Sequence, residues 1–146
     1  MKYTSLFGKT FREIPHGLKA KSQILLVQGG YARFLGQGLY SLLPLGMMVI
    51  RRLEDLIRKE MEALGGQEVL VPLVNPYDIW KRGGRERFLG NDLTRFTDRS
   101  GRDLVLAPSH EEAFVELVRV GIRSYRDLPV FLYQFQHKFR DEERTR

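Results

Sequence analysis

The sequence predicts an α+β fold in which helices pack on a partial antiparallel sheet, and three stretches carry that prediction. Residues 130–144 alternate strictly, with Phe131, Tyr133, Phe135, His137 and Phe139 on one side of a strand and Gln134, Gln136, Lys138, Arg140 and Glu142 on the other. Residues 46–64 change to a helical period, with Ile50, Leu53, Ile57, Met61 and Leu64 on one stripe that Val49 and Leu56 widen. Residues 93–97 and 103–107 read as short strands around Asp98-Arg99-Ser100-Gly101-Arg102, a hairpin with glycine where positive φ is needed.

Composition bounds the reading. A chain of 146 residues, 42% hydrophobic and 11% aromatic, is expected to form one domain with a packed core. Lysine and arginine number 24 against 18 aspartate and glutamate, and the net charge of +6 favours an anionic partner such as a nucleotide or nucleic acid. The excess is spread along the chain, and no run of five or six basic residues marks a binding tail. Without cysteine, disulfides, thiolate metal sites and thiol nucleophiles are excluded, and a reducing cytosol is the compatible setting. The opening Met1-Lys2-Tyr3-Thr4-Ser5-Leu6-Phe7-Gly8 lacks the apolar run of a signal peptide, and no apolar stretch is long enough to span a bilayer. A cytoplasmic protein without membrane partners is expected.

Taken in order, residues 1–21 are polar and punctuated by Gly8, Pro15 and Gly17, an irregular or weakly helical arm. Ser22 is positioned to cap a short helix through Val27, which Gly29-Gly30 ends. The glycine-spaced stretch 31–40 lacks both G-x-G-x-x-G and Gly-Lys-Ser/Thr, so it reads as turns and close packing rather than a phosphate loop. The helix 46–64 exposes Arg51, Arg52, Asp55, Arg58, Lys59 and Glu62, and Gly65-Gly66 stops it. A strand-length apolar run, 67–74, follows, with Pro72 suited to a sheet edge or strand end. Helix and strand together suit either a subunit interface or ordinary helix-on-sheet packing.

Asn75-Pro76 opens a turn and a short helical piece, 77–80, with Trp80 in the core, and residues 83–87 and 90–92 read as exposed loop. Ser109 and Glu112 have capping-box spacing at the head of a helix over 113–118. Glu111 is left over, suited to accept from a bound ammonium or simply to favour the helix dipole. His16, His110 and His137 are far apart in sequence and have no cysteine to help, so no protein metal site is expected. Ser124 and Asp127 make a second box before Pro129. The strand 130–144 then carries an arginine and a carboxylate two residues apart on its polar face. That is either a site geometry or one wet face of an antiparallel strand.

These residues together resemble the N-terminal part of the catalytic domain of class II aminoacyl-tRNA synthetases, most closely the bacterial-type prolyl enzymes. The resemblance runs from Phe11-Arg12-Glu13 through Gly38-Leu39-Tyr40, Leu43-Pro44-Leu45-Gly46, Gln67-Glu68-Val69-Leu70-Val71-Pro72, Pro108-Ser109-His110-Glu111-Glu112 and Ser124-Tyr125 to Phe139-Arg140-Asp141-Glu142. It implies that 46–74 is the family's motif 1, with Ile50, Leu53, Ile57 and Pro72 at a homodimer interface. It implies that Ser109 and Glu111 stand in the Thr-X-Glu loop that contacts proline, with serine in place of the usual threonine. It implies that 130–144 holds motif 2, whose Arg140 is the catalytic residue on the α-phosphate of ATP and whose Glu142 holds the adenine side. Arg144 and Arg146 fall where the family's loop reaches toward the tRNA acceptor end, although Glu143-Arg144-Thr145-Arg146 departs from the usual pattern there.

The implied partners are ATP, proline and tRNA(Pro), with Mg2+ accompanying ATP in the full enzyme. The returning strand of motif 2, the glycine-rich motif 3 and the anticodon-binding domain are not within these residues, so weak or absent activity is expected of the 146 residues alone. A non-catalytic paralogue that binds nucleotide, amino acid or tRNA, or a dimerising structural module, is the alternative.

Overall fold

The computed structural model describes residues 2–13 and 16–141, apart from the side chain of Asn91. Where length alone predicts one domain, the chain divides into two compact units, Met1–Glu60 and Met61–Arg146.

In the first unit the arm has a single 3-10 turn, Tyr3–Ser5. It is fastened by the Phe11 N–H donating to the Gln28 carbonyl at 2.9 Å and by the Arg33 guanidinium lying 4.3 Å from the Phe11 ring centroid. Helix α1, Lys21–Gln28, has Ala20 at its N-cap with no side-chain bond, so Ser22 lies inside the helix and does not cap it. The extended backbone of Ala20 starts the first turn two residues earlier than expected.

The stretch read as turns is a hairpin of β1, Ala32–Gly36, and β2, Leu39–Leu42, with Phe34 opposite Tyr40 and an irregularity at Gly36. Apart from buried Ala32 its residues are exposed or half-buried, and glycines crowd the turn between the strands, so the stretch shows no clean period of two. Helix α2, Pro44–Ala63, begins on a proline whose missing N–H costs nothing at the first position. Gly46 packs against the backbone of Tyr31, and Leu43 donates to the Tyr31 carbonyl at 2.9 Å. The predicted stripe is largely uncovered: Val49, Leu53, Leu56 and Ile57 are 44%, 51%, 60% and 49% exposed, while Ile50 is half-buried. Among the described residues of the first unit, no sheet covers this face.

In the second unit the single strand expected over 67–74 is two strands in different sheets. β3, Gln67–Glu68, pairs in parallel with β7, Leu132–Tyr133, and β4, Val74–Pro76, pairs antiparallel with a later strand. Pro72 lies between them, where it has no N–H for a ladder, and the buried Asn75 side chain donates to the Pro72 carbonyl at 2.8 Å, fixing the break. Helix α3, Tyr77–Arg82, follows, then α4, Glu86–Leu89, in a segment expected to be loop. Leu89 packs on the core, which is reason enough for the chain to wind there.

The hairpin of β5, Arg95–Thr97, and β6, Asp103–Leu106, forms as predicted, with Gly101 at φ 77°. β6 is central in the order β4-β6-β5. Trp80, fully buried as expected, packs with Tyr77, Leu93, Val105 and Ala107 between α3 and this sheet.

Helix α5, Glu111–Gly121, has His110 at its N-cap, so Ser109 is one residue too early and its box with Glu112 does not form. The Ser124–Asp127 box does form, on the 3-10 turn Tyr125–Asp127. Among the described residues of the long strand expected over 130–144, only Leu132–Tyr133 is laddered, and of the predicted core face only Tyr133 is buried. One short partner strand on one edge cannot define two faces.

Candidate active site

The site grows from the end of β6. Ala107 donates to the Leu73 carbonyl at 2.9 Å and accepts from the Phe139 N–H at 3.1 Å, so the loop that follows is stitched between two extended segments. His110 Nε2 lies 2.8 Å from the His137 carbonyl and donates to it, because a carbonyl only accepts. Arg140 Nε donates to the Pro108 carbonyl at 3.0 Å, which orients the plane of its guanidinium. These contacts bring Arg140 against the loop that carries Ser109 and Glu111.

Burial within the loop is uneven. Ser109 and His110 are 8% and 4% exposed and Glu112 is buried, whereas Glu111 is exposed in the first turn of α5. The Glu111 carboxyl is held below the usual glutamate range, chiefly by the Ser109 hydroxyl and then by its own N–H and the positive charges of Arg85 and Lys138, against the opposing effect of burial. The hydroxyl is near enough to act on that carboxyl, yet Ser109 Oγ makes no hydrogen bond of good geometry. His110 Nδ1 and Glu112 Oε2 are likewise buried without a hydrogen-bond partner. An exposed anion beside buried, unpaired polar atoms is suited to receiving a polar ligand.

A cavity of about 430 Å³ is lined by His110, Glu111, Phe114, Val115, Gln134, Gln136 and Lys138. A smaller one of about 180 Å³ has Ser109, Arg140 and Arg85 in its wall. The polar strand face is not wholly a ligand surface. Gln134 Oε1 accepts from the Val71 N–H at 3.2 Å, and Gln136 Nε2 donates to the Val71 carbonyl at 3.1 Å. Two side chains thus continue the β3–β7 pairing past its last ladder rung.

Arg140, Ser109 and Glu111 come together, while Glu142, Arg144 and Arg146 lie outside the described residues. Ile50, Leu53 and Ile57 lie on α2 in the first unit, and Pro72 is exposed in the second. Arg85, a residue not singled out from sequence, reaches Glu111 and Glu112. Its only sequence signal was a glycine-flanked position in an apparent loop. Among the described residues no three His, Cys, Asp or Glu side chains gather as metal ligands. Among them, too, no helix is long and apolar enough to cross a membrane.

Residues 94–146 match the family model of the tRNA synthetase class II core domain (G, H, P, S and T). The whole chain is 47% identical to the proline–tRNA ligase of Syntrophus aciditrophicus, 45% to that of Desulfotalea psychrophila and 44% to that of Desulfitobacterium hafniense. It spans 25% to 26% of the length of these relatives. The RNA binding domain of threonyl-tRNA synthetase from Cryptosporidium parvum superposes with a TM-score of 0.70 at 26% identity, over 76% of this chain and 28% of that one. Prolyl-tRNA synthetase from the same organism, complexed with L-proline and AMP, shares the fold with a TM-score of 0.68 at 17% identity, over 84% of this chain and 25% of its own. The resemblance to class II synthetases, and to their prolyl members, holds along the whole chain.

Proposed function

We propose that this chain, whose likeness to prolyl-tRNA synthetases runs through all 146 residues, forms part of the adenylation site of a proline–tRNA ligase. The observation that carries the reading is the anchoring of Arg140 on Pro108, which sets a guanidinium beside the Ser109–Glu111 loop. In this reading Glu111, ionised at neutral pH, accepts from the secondary ammonium of proline, and the Ser109 hydroxyl adds a second polar contact.

The proline carboxylate attacks the α-phosphorus of ATP. A carboxylate O–P bond forms, the bond to the bridging oxygen breaks, and pyrophosphate leaves with the electron pair. A tRNA hydroxyl then attacks the acyl carbon and AMP departs. No covalent enzyme intermediate is needed, so the protein's contribution is positioning and charge stabilisation. A planar, permanently charged guanidinium at Arg140 spans carboxylate and phosphate oxygens as charge grows between them. Glu142 would take the adenine side, and Arg144 and Arg146 the phosphates of the tRNA acceptor end. Mg2+ would arrive with the ATP phosphates.

The uncovered stripe of α2 supports a homodimer. Val49, Leu53, Leu56 and Ile57 form an apolar face that a second copy would bury, with Ile50 alongside; Pro72, exposed in the second unit, is the other residue proposed to meet a second copy. Sedimentation should give a dimer, and a monomer for Leu53→Glu/Ile57→Glu. A cytoplasmic location goes with this function.

The test of the activity is ATP–pyrophosphate exchange with proline, alanine, threonine or no amino acid. Weak proline-dependent exchange, reduced roughly a hundred- to a thousandfold in Arg140→Ala, about 3 to 4 kcal/mol of transition-state stabilisation, is the result that supports the reading. Exchange at the parental rate in Arg140→Ala would sink the assignment. A dimer that binds neither ATP nor proline would instead favour the structural-module reading.

A further inference from the structure

Arg85 holds two neighbouring carboxylates at once. Its Nη1 lies 3.6 Å from Glu111 Oε2, and its Nε lies 3.2 Å from Glu112 Oε1. Consecutive helix residues point about 100° apart, so these side chains leave α5 in different directions, and a branched planar cation is suited to reach both. Gly84, at φ 68°, makes the turn after α3 that delivers Arg85 to this position.

The two acids are not equivalent. The Glu112 side chain is 5% exposed and that of Glu111 is 63% exposed. A buried carboxylate requires its cation, so the Glu112 contact anchors the guanidinium. The Glu111 contact is solvent-exposed and longer, and pairs of that kind contribute little to stability. What the second contact does is orient a carboxylate that already stands at the mouth of a cavity, opposite Lys138 and beside the Ser109 hydroxyl. The same guanidinium lines the smaller cavity with Ser109 and Arg140, so the amino-acid side and the phosphate side share a wall.

We propose that Arg85 is a positioning residue of the amino-acid site: anchored on buried Glu112, its guanidinium fixes the Glu111 carboxylate where a secondary ammonium must be received. The proposal rests on the proline reading above. It makes the segment between α3 and β5 part of the machinery for substrate choice, although Arg85 itself need not touch proline.

Calorimetric titration with L-proline tests it, on the parent protein, Arg85→Lys, Arg85→Gln and the double variant Arg85→Gln/Glu112→Gln. Arg85→Gln alone leaves a buried carboxylate without its cation and risks unfolding. The double variant removes that charge with a neutral side chain of the same shape. The double variant is expected to melt near the parent temperature and to lose proline affinity by a larger factor than ATP affinity. Its proline affinity should fall about ten- to a hundredfold, the loss expected for a charged hydrogen-bonding partner. Arg85→Lys, which keeps the charge and loses the fork, should fall between. Parental proline affinity in the double variant overturns the proposal, as does an equal loss of ATP and proline affinity, which would mark a general structural role. If the parent itself binds no proline, the functional reading falls and takes this proposal with it. Parental binding with unchanged variants defeats this proposal alone.

Discussion

Ser109 has a hydroxyl that is buried yet has no well-formed hydrogen bond, a condition that costs about 1 to 3 kcal/mol where it persists. In the folded chain the hydroxyl's main effect is on the Glu111 carboxyl, and the proposed proline site would give it a further partner. Ser109→Ala should shift the melting temperature little, because relief of the buried hydroxyl opposes the lost support of the ionised Glu111 carboxyl, while proline binding weakens. Thermal melts beside proline titration check this, and a variant that loses stability but keeps its proline affinity contradicts it. At this scale the sequence was informative about chemistry and silent about partners. Arg140, Ser109 and Glu111 could be picked out as a set because they stand in recognisable order. Their mutual approach depends on backbone acceptors at Pro108 and His137, which no residue identity reveals. Arg85 was invisible for a related reason: its meaning comes from two acids more than twenty residues later in the chain.

Among the elements, α2 was the most legible, because a period sustained over twenty residues needs no tertiary help to be seen. What the period could not say was that its apolar face would be left uncovered. Near its start, Gly46 offers a test in which two effects oppose each other. Alanine gains about 1 kcal/mol over glycine in a helix interior. At this position, however, a Cβ would lie 2.2 Å from the Tyr31 carbonyl oxygen, a backbone atom that cannot rotate away. Overpacking of this kind typically costs about 1 to 3 kcal/mol, so Gly46→Ala should be net destabilising in urea unfolding. A gain in midpoint would show that the approach of helix to hairpin relaxes. The β1–β2 hairpin and the split at Pro72 escaped the sequence because neither presents an alternating pattern. The long strand expected at 130–144 failed for the opposite reason: its alternation is real in sequence, but past Leu132–Tyr133 the glutamines are used for side-chain bonds to Val71 rather than for a ladder among the described residues.

For the molecule as a whole, the α+β class with small antiparallel sheets was legible, because helix period and hairpin signals are local, whereas the parallel β3–β7 pair is not. Charge gives a further prediction at this scale. Asp98 is lowered first by the Arg102 N–H, Asp127 by the N–H groups of Arg123 and Ser124, and Glu116 by the Arg119 side chain. A carboxyl with a depressed folded pKa binds fewer protons folded than unfolded. Its stabilisation is therefore complete above the unfolded value of about 4 and is lost as pH falls through the folded one. Melting temperature should be nearly flat from neutral pH down to about 5 and should fall below about 4, as followed by circular dichroism. A rise on acidification would refute the sign.

The β3–β7 pair also has a meaning in time. Tyr133 comes 65 residues after Glu68, and the Gln67 N–H waits for the Phe131 carbonyl. At about 5 to 20 residues per second, a ribosome takes roughly 3 to 13 seconds to supply the missing edge. Hairpins form in about 1 to 10 microseconds, so β5 and β6 can pair as soon as both have emerged, while β3 is still without its neighbour. During nascent growth, the segment that will cradle Val71 is closed late in this unit, after the β5–β6 hairpin has formed.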